Sequence, residues 1–200
     1  MTFTDFLRKS FSGIIQKITN LLIRLGFTAN KVSIFGLVGN IAASGLIAQG
    51  FLISGGVLAG LSCLLDALDG TIAKSGSGNT LYGSFLDSTL DRFSEFVIFL
   101  GLVLFFQKSN NFTGVIITFL AFGCSLLVSY IRAKAEGVGV NLKRGLLTRV
   151  ERITILIISL LIRMPLYGMK IIAVLSFFTI IQRFWIARKK ILEKEKGSKC

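Results

Sequence analysis

Four aspartates stand in a strongly apolar chain: Asp66 and Asp69 in LLDALDGTIAK, then Asp87 and Asp91 in GSFLDSTLDRF. On a helix, residues three or four apart share a face, so each pair presents two carboxylates side by side. An ionised carboxylate inside a bilayer costs at least a few kcal/mol, which confines such groups to polar cavities and ion sites. The chain has 10 Asp and Glu in all, and half of them, these four and Glu95, fall between residues 66 and 95. The loop around KSGSGNT is short, so both pairs are expected at one end of a helical hairpin. Four converging carboxylates repel one another, and hard cations among them remove the repulsion. The chain contains no histidine, and an oxygen-only donor set points to Mg²⁺ or Mn²⁺ and away from zinc. Two other readings of the same residues stay open at this point. One is a polar packing network with Arg92, Lys74 and Arg132 as counter-ions; the other is a cation transport site. Gly70 follows Asp69 directly, and Gly83 precedes Asp87 by one turn. Glycine in a membrane helix is a close-packing residue. Beside metal-binding carboxylates it also lets a phosphate approach the backbone.

The elements that carry these residues must be membrane helices. The 200 residues are 52% hydrophobic with 18 Phe and a single Pro, and the mean hydropathy is +0.74. That composition belongs to a chain whose solvent is largely lipid. A bilayer core about 30 Å thick needs roughly 20 apolar residues per helix, which leaves room for about six spans and no separate soluble domain. Apolar runs fall at 32–50, 52–73, 81–106, 112–134, 150–164 and 166–187, broken at QGF, KSGSGN, QKSNN, EGVGVNLKRG and RMPLYG. Ahead of them, Phe3, Phe6, Leu7, Phe11, Ile14, Ile15, Ile18, Leu21 and Leu22 recur at helical spacing with Arg8, Lys9, Lys17 and Arg24 between them. This pattern predicts an amphipathic helix lying on the membrane. Thr28 or Asn30 is placed to cap the first span. The expected fold class is thus an all-α integral membrane protein: six transmembrane helices preceded by an interfacial helix. The expected segments are residues 1–26, a six-helix domain at 27–188, and a lysine-rich tail at 189–200 that is solvated or touches lipid.

Six spans put both ends on one side, and most of the charge lies there. The 23 Lys and Arg give a net charge of +13. They concentrate in the N-terminal segment, at Lys74, from Lys134 through Arg149, and in RKKILEKEKGSK, while the opposite loops hold only Lys108, Arg163 and Lys170. The positive-inside rule places both termini in the cytoplasm, in a plasma membrane. The excess charge decorates those loops and meets anionic headgroups or a phosphorylated substrate; nothing points to nucleic acid. The N-terminus has no uninterrupted apolar core with a cleavage site, so it does not read as a signal peptide. Cys63, Cys124 and Cys200 form no zinc or disulfide pattern.

Read in order, Asp66, two residues, Asp69-Gly70, two residues, Ala73 and Lys74, eight residues, Gly83, three residues, Asp87, three residues, Asp91 resembles the signature of the CDP-alcohol phosphatidyltransferase family. The resemblance implies a six-helix enzyme, usually a homodimer, in which an alcohol displaces CMP from a CDP-linked lipid at a site with two divalent ions. Asp66, Asp69, Asp87 and Asp91 would hold the ions, and Asp91 would be the general base. Asp66, Asp69, Gly70, Ala73, Lys74, Gly83 and Asp87 would bind the CDP-lipid. A pair of ions held by four carboxylates suits the chemistry, because a pyrophosphate must be neutralised while an oxygen attacks in line. Lys74 stands where the family usually has arginine; it keeps the charge and loses the planar fork. SYIRAKAEGVGV at 129–140, LLTRVERITI at 146–155 and IQRF at 181–184 resemble stretches of the phosphatidylinositol phosphate and archaetidylinositol phosphate synthases of that family. The similarity runs from about residue 26 to 184. It implies that Ser129, Arg132, Arg149 and Arg183 grip the phosphate of myo-inositol 1-phosphate, for which arginine forks are suited. Val150 departs from a proline often found there. Glycerol 3-phosphate and serine are the other acceptors to consider, with serine offering no phosphate to grip.

Overall fold

The computed structural model describes residues 28–75, 80–142, 145 and 147–197 together with residues 19, 21 and 23; at 67, 69, 70 and 73–75 it describes the backbone alone. Among the described residues the chain forms six helices: α1 (Ala29–Ala48), α2 (Leu52–Ser75), α3 (Leu81–Lys108), α4 (Phe112–Gly137), α5 (Arg149–Leu161) and α6 (Pro165–Gly197). They coincide with the six apolar runs to within a few residues, except that α6 is longer. The interfacial helix expected over residues 1–26 lies outside the described residues apart from 19, 21 and 23, which are helical.

The turns between helices follow from local backbone chemistry. After α1 the Phe51 amide donates to Leu46 O at 3.0 Å and the Gly50 amide to Ile47 O at 2.9 Å, with Gly50 at φ +93°. That pair of bonds around a left-handed residue is the Schellman stop. The same pair closes α3 at Asn110, α4 at Gly139 and α5 at Arg163. Glycine and asparagine tolerate that conformation; an arginine at φ +58° does so under strain. Each following helix then starts on a suited residue. Thr28 is the cap of α1, accepting from the Lys31 amide at 3.4 Å; Asn30, the other candidate, lies inside the helix. Asn111 caps α4 through Gly114 at 2.9 Å, and Pro165 opens α6, where its missing amide is no loss.

The chain divides into two compact units between Gly101 and Leu102, inside α3. In the first, α2 packs along α1, burying Ala43, Ile47, Leu52 and Ala59, and Ser44 on α1 donates to the Val97 carbonyl of α3. In the second, α6 packs on α4 and α5, and the core includes Ala121, Val128, Leu156, Leu160, Met169 and Ile172. Large apolar residues such as Phe35, Ile41, Phe119, Leu120, Phe177 and Phe178 face outward, as they do where the surroundings are lipid.

Ala29–Ala48, Phe112–Gly137 and Pro165–Lys196 are long and apolar enough to cross a membrane, and α2 is apolar over Leu52–Asp66. The 13 residues of α5 rise only about 20 Å, short of the roughly 30 Å bilayer core. In contrast, the 33 residues of α6 rise about 50 Å. The lysine-rich end is therefore the continuation of α6 as far as Gly197, consistent with the helix-forming Lys, Glu and Leu that compose it. Ala187 of this extension packs with Ala135, Val140 and Leu142.

The strained turn gives a test. Arg163→Gly is expected to stabilise the protein by about 1 kcal/mol, raising the midpoint of thermal unfolding in detergent by roughly 2–4 °C; a lowered midpoint would show that the arginine side chain contributes more than its backbone costs.

Candidate functional site

The carboxylates lie in the first unit. Asp66 is half-buried on α2, and Asp87 and Asp91 are half-buried one turn apart on α3. Asp69, Gly70, Ala73 and Lys74 continue the backbone of α2, and their side chains lie outside the described residues. Opposite Asp66, α1 carries Gly36. A β-carbon there would collide with Oδ1 of Asp66 and stand 3.5 Å from the Ser62 carbonyl. Gly36 thus leaves the space in which the Asp66 carboxylate lies, a role that sequence reading missed. Gly83 has a local task. Its amide donates to Thr80 Oγ1 at 3.0 Å, and a β-carbon would stand 3.1 Å from that oxygen and 3.6 Å from Asn30 Oδ1. The fifth acid of the cluster is in a pair: Glu95, its side chain 4% exposed, accepts from Arg92 at 3.2 Å. Hydroxyls beside the aspartates bond back to their own helix, Ser88 to Ser84 O at 2.9 Å and Thr89 to Phe85 O at 2.8 Å.

As donors, these carboxylates fit a hard divalent cation. They offer oxygen alone, they are half-buried, and Gly36 keeps the space at Asp66 open. The expected convergence of both pairs is not complete among the described residues, where no three Asp, Glu, Cys or His side chains form a group able to hold a metal ion. The described set lacks the side chain of Asp69.

The basic residues lie in the second unit. Ser129 on α4 is half-buried, and its hydroxyl donates to Ser125 O at 3.2 Å. Arg132, one turn on, is exposed and paired through Nε with Glu136 at 2.9 Å. Arg149 is the first residue of α5 and half-buried. Arg183 is only 5% exposed on α6. Its NH1 donates to the Val128 carbonyl at 2.8 Å, which brings the guanidinium to α4 beside Ser129. Its Nε is buried and has no hydrogen-bond partner among the described residues. Arg132 and Arg152, alike in sign, and Glu136 and Glu151, opposite in sign, are the charges that act on it. Both glutamates have other hydrogen bonds, Glu136 with Arg132 and Glu151 with the Thr148 amide.

Arg152, at 2% exposure, is the functional candidate that sequence reading did not single out. The signal was there: Arg152, Leu156, Ser159 and Leu160 are the buried residues of α5, spaced as one face of a helix. Buried guanidiniums of this kind are stable only when an anion or a set of acceptors compensates them, and the open Nε of Arg183 calls for such a partner.

The fold is that of an all-helical membrane protein, with half-buried carboxylates on α2 and α3 and buried guanidiniums on α5 and α6. A family model, CDP-alcohol phosphatidyltransferase, matches residues 26–199, and the chain belongs to that family of enzymes. Membership decides for an enzyme over a cation transporter. The phosphatidylinositol phosphate synthase of Mycobacteroides abscessus is 33% identical over 190 residues, covering 90% of this chain and 86% of that one. The archaetidylinositol phosphate synthase of Methanothermobacter thermautotrophicus is 36% identical over 166 residues, 80% of this chain and 83% of that one. Among solved structures, Mycobacterium tuberculosis phosphatidylinositol phosphate synthase with CDP-DAG bound superposes with a TM-score of 0.80 at 30% identity, covering 87% of this chain and 93% of that chain. The same enzyme in complex with manganese and citrate gives a TM-score of 0.78 at 29% identity over 86% and 88% of the two chains.

Gly36→Ala is expected to displace the Asp66 carboxylate and to lower CMP release from a CDP-lipid by about tenfold or more, since a misplacement near 1 Å can cost up to about 100-fold. Release at the wild-type rate would show that Asp66 does not depend on that space.

Proposed function

We propose that this enzyme transfers a phosphatidyl-type group from a CDP-lipid, CDP-diacylglycerol or CDP-archaeol, to myo-inositol 1-phosphate, releasing CMP. The observation that carries the acceptor is Arg183: a buried guanidinium whose Nε has no hydrogen-bond partner among the described residues, acted on by Arg132 and Arg152. A doubly charged phosphate is the ligand such a group favours, through charge-assisted hydrogen bonds. Similarity to a phosphatidylinositol phosphate synthase and an archaetidylinositol phosphate synthase supports the same choice.

In this reading Asp66, Asp69, Gly70, Ala73, Lys74, Gly83 and Asp87 hold the cytidine diphosphate. Asp66, Asp69, Asp87 and Asp91 would hold two divalent ions, Mg²⁺ or Mn²⁺. Bound there, the ions supply charge neutralisation for the pyrophosphate and its leaving oxygen. Ser129, Arg132, Arg149 and Arg183 fix the acceptor phosphate and so orient the inositol hydroxyl. Asp91 takes the hydroxyl proton as the oxygen forms its bond to the lipid-linked phosphorus, and the bond from that phosphorus to CMP breaks. The chain works as one six-helix domain over 27–188 in a homodimer at the plasma membrane, with both termini and the site on the cytoplasmic side, as its lysine and arginine distribution favours.

The deciding assay is CMP release by the purified protein with a CDP-lipid and Mg²⁺, run with inositol 1-phosphate, glycerol 3-phosphate, serine and free inositol. Turnover with inositol 1-phosphate alone is expected. A preference for glycerol 3-phosphate or serine would reassign the arginines while leaving the transferase intact. Asp91→Asn is expected to lower turnover by about 100-fold or more with CDP-lipid binding held within a few fold. Activity near wild type would remove Asp91 from the proton-accepting role.

A further inference from the structure

The described residues of the connection between α4 and α5 meet α6 in antiparallel order. Lys194 Nζ donates to the Val138 carbonyl at 3.1 Å, and Lys190 Nζ to that of Asn141 at 2.8 Å. Gly145 lies against the Arg183 guanidinium, where a β-carbon would stand 2.6 Å from Nε and 2.9 Å from NH2. The Leu147 amide donates to Thr179 Oγ1 at 3.2 Å. Positions 138, 141, 145 and 147 on the connection thus meet 194, 190, 183 and 179 on α6. One residue further, Thr148 caps α5 and Arg149 begins it.

We propose that Lys190 and Lys194, together with Gly145, are positioning residues for the acceptor phosphate. They touch no substrate. They fix the path of the connection, and that path sets where Arg149 enters α5 and leaves Arg183 the room it occupies. The inference rests on the reading of the arginine set as the acceptor site. Holding a connection at fixed points opposes its conformational entropy. Two ammonium-to-carbonyl bonds spaced one helical turn apart on α6, with the Thr179 bond at the far end, oppose that entropy at both ends of the segment. Gly145 contributes by what it lacks, because any β-carbon would push the guanidinium aside. A site assembled only part of the time shows an apparent affinity reduced by the fraction of time it is assembled.

The test uses the full chain in neutral detergent, comparing wild type with the Lys190→Ala/Lys194→Ala double variant. The variant is expected to raise the KM for inositol 1-phosphate by about 5–10-fold, with kcat and the KM for CDP-diacylglycerol within about twofold. Amide exchange in peptides spanning 138–149 should quicken, and Lys190→Arg/Lys194→Arg, which keeps cationic donors, should restore both readouts. Quickened exchange with an unchanged acceptor KM overturns the positioning role. An equal rise in both KM values does so too, since it signals general loosening. Gly145→Ala is a second route: it should raise the acceptor KM selectively in the wild type and add little in an Arg183→Lys background; full additivity there overturns the seating role of Gly145. A wild-type enzyme indifferent to inositol phosphate overturns the acceptor reading itself, and this role with it, before any variant is compared.

Discussion

Charge placed among apolar helices must be compensated, and much of the organisation of this protein follows from that. In water an arginine or aspartate can stand alone at small cost; inside a helical bundle it needs a partner. Arg92 and the buried Glu95 meet that need within one turn of α3. Arg183 meets it partly through the Val128 carbonyl and keeps a buried Nε for another acceptor. The Arg92 guanidinium is thus compensated on its own helix, whereas that of Arg183 reaches across to another.

The two units divide the chemistry as the charges do. The acidic site residues lie on α2 and α3, and the basic ones on α4, α5 and α6; the proposed function gives cations to the first set and an anion to the second.

Helix positions were legible in the sequence because lipid imposes a strong and simple pattern on each span. Stops at Gly50, Asn110 and Gly139 were readable from residue type, whereas Arg163 takes the same left-handed turn without advertising it. The aspartates announced themselves because a carboxylate in an apolar run is anomalous. Gly36 did not, since its function is an absence of atoms opposite a residue on another helix. Arg152 was hidden by its neighbour Arg149, and only the burial of one face of α5 tells them apart. The lysine-rich end of α6 read as a solvated tail because its composition is polar; its carbonyl partners at Val138 and Asn141 are distant in sequence, and no local pattern points to them.

Helix α6 also limits which changes of chain length the protein can absorb. Thr179, Arg183, Lys190 and Lys194 each meet a set point on the α4–α5 connection, and a helix turns about 100° per residue. A single inserted or deleted residue anywhere between 179 and 194 would swing the lysines, or the arginine, off their partners while leaving composition and hydropathy almost unchanged. Substitutions on the outward apolar face, at Phe177, Phe178 and Ile181, would leave those four contacts in register. Along this helix the spacing from 179 to 194 is a tighter constraint than side-chain identity on the outward face.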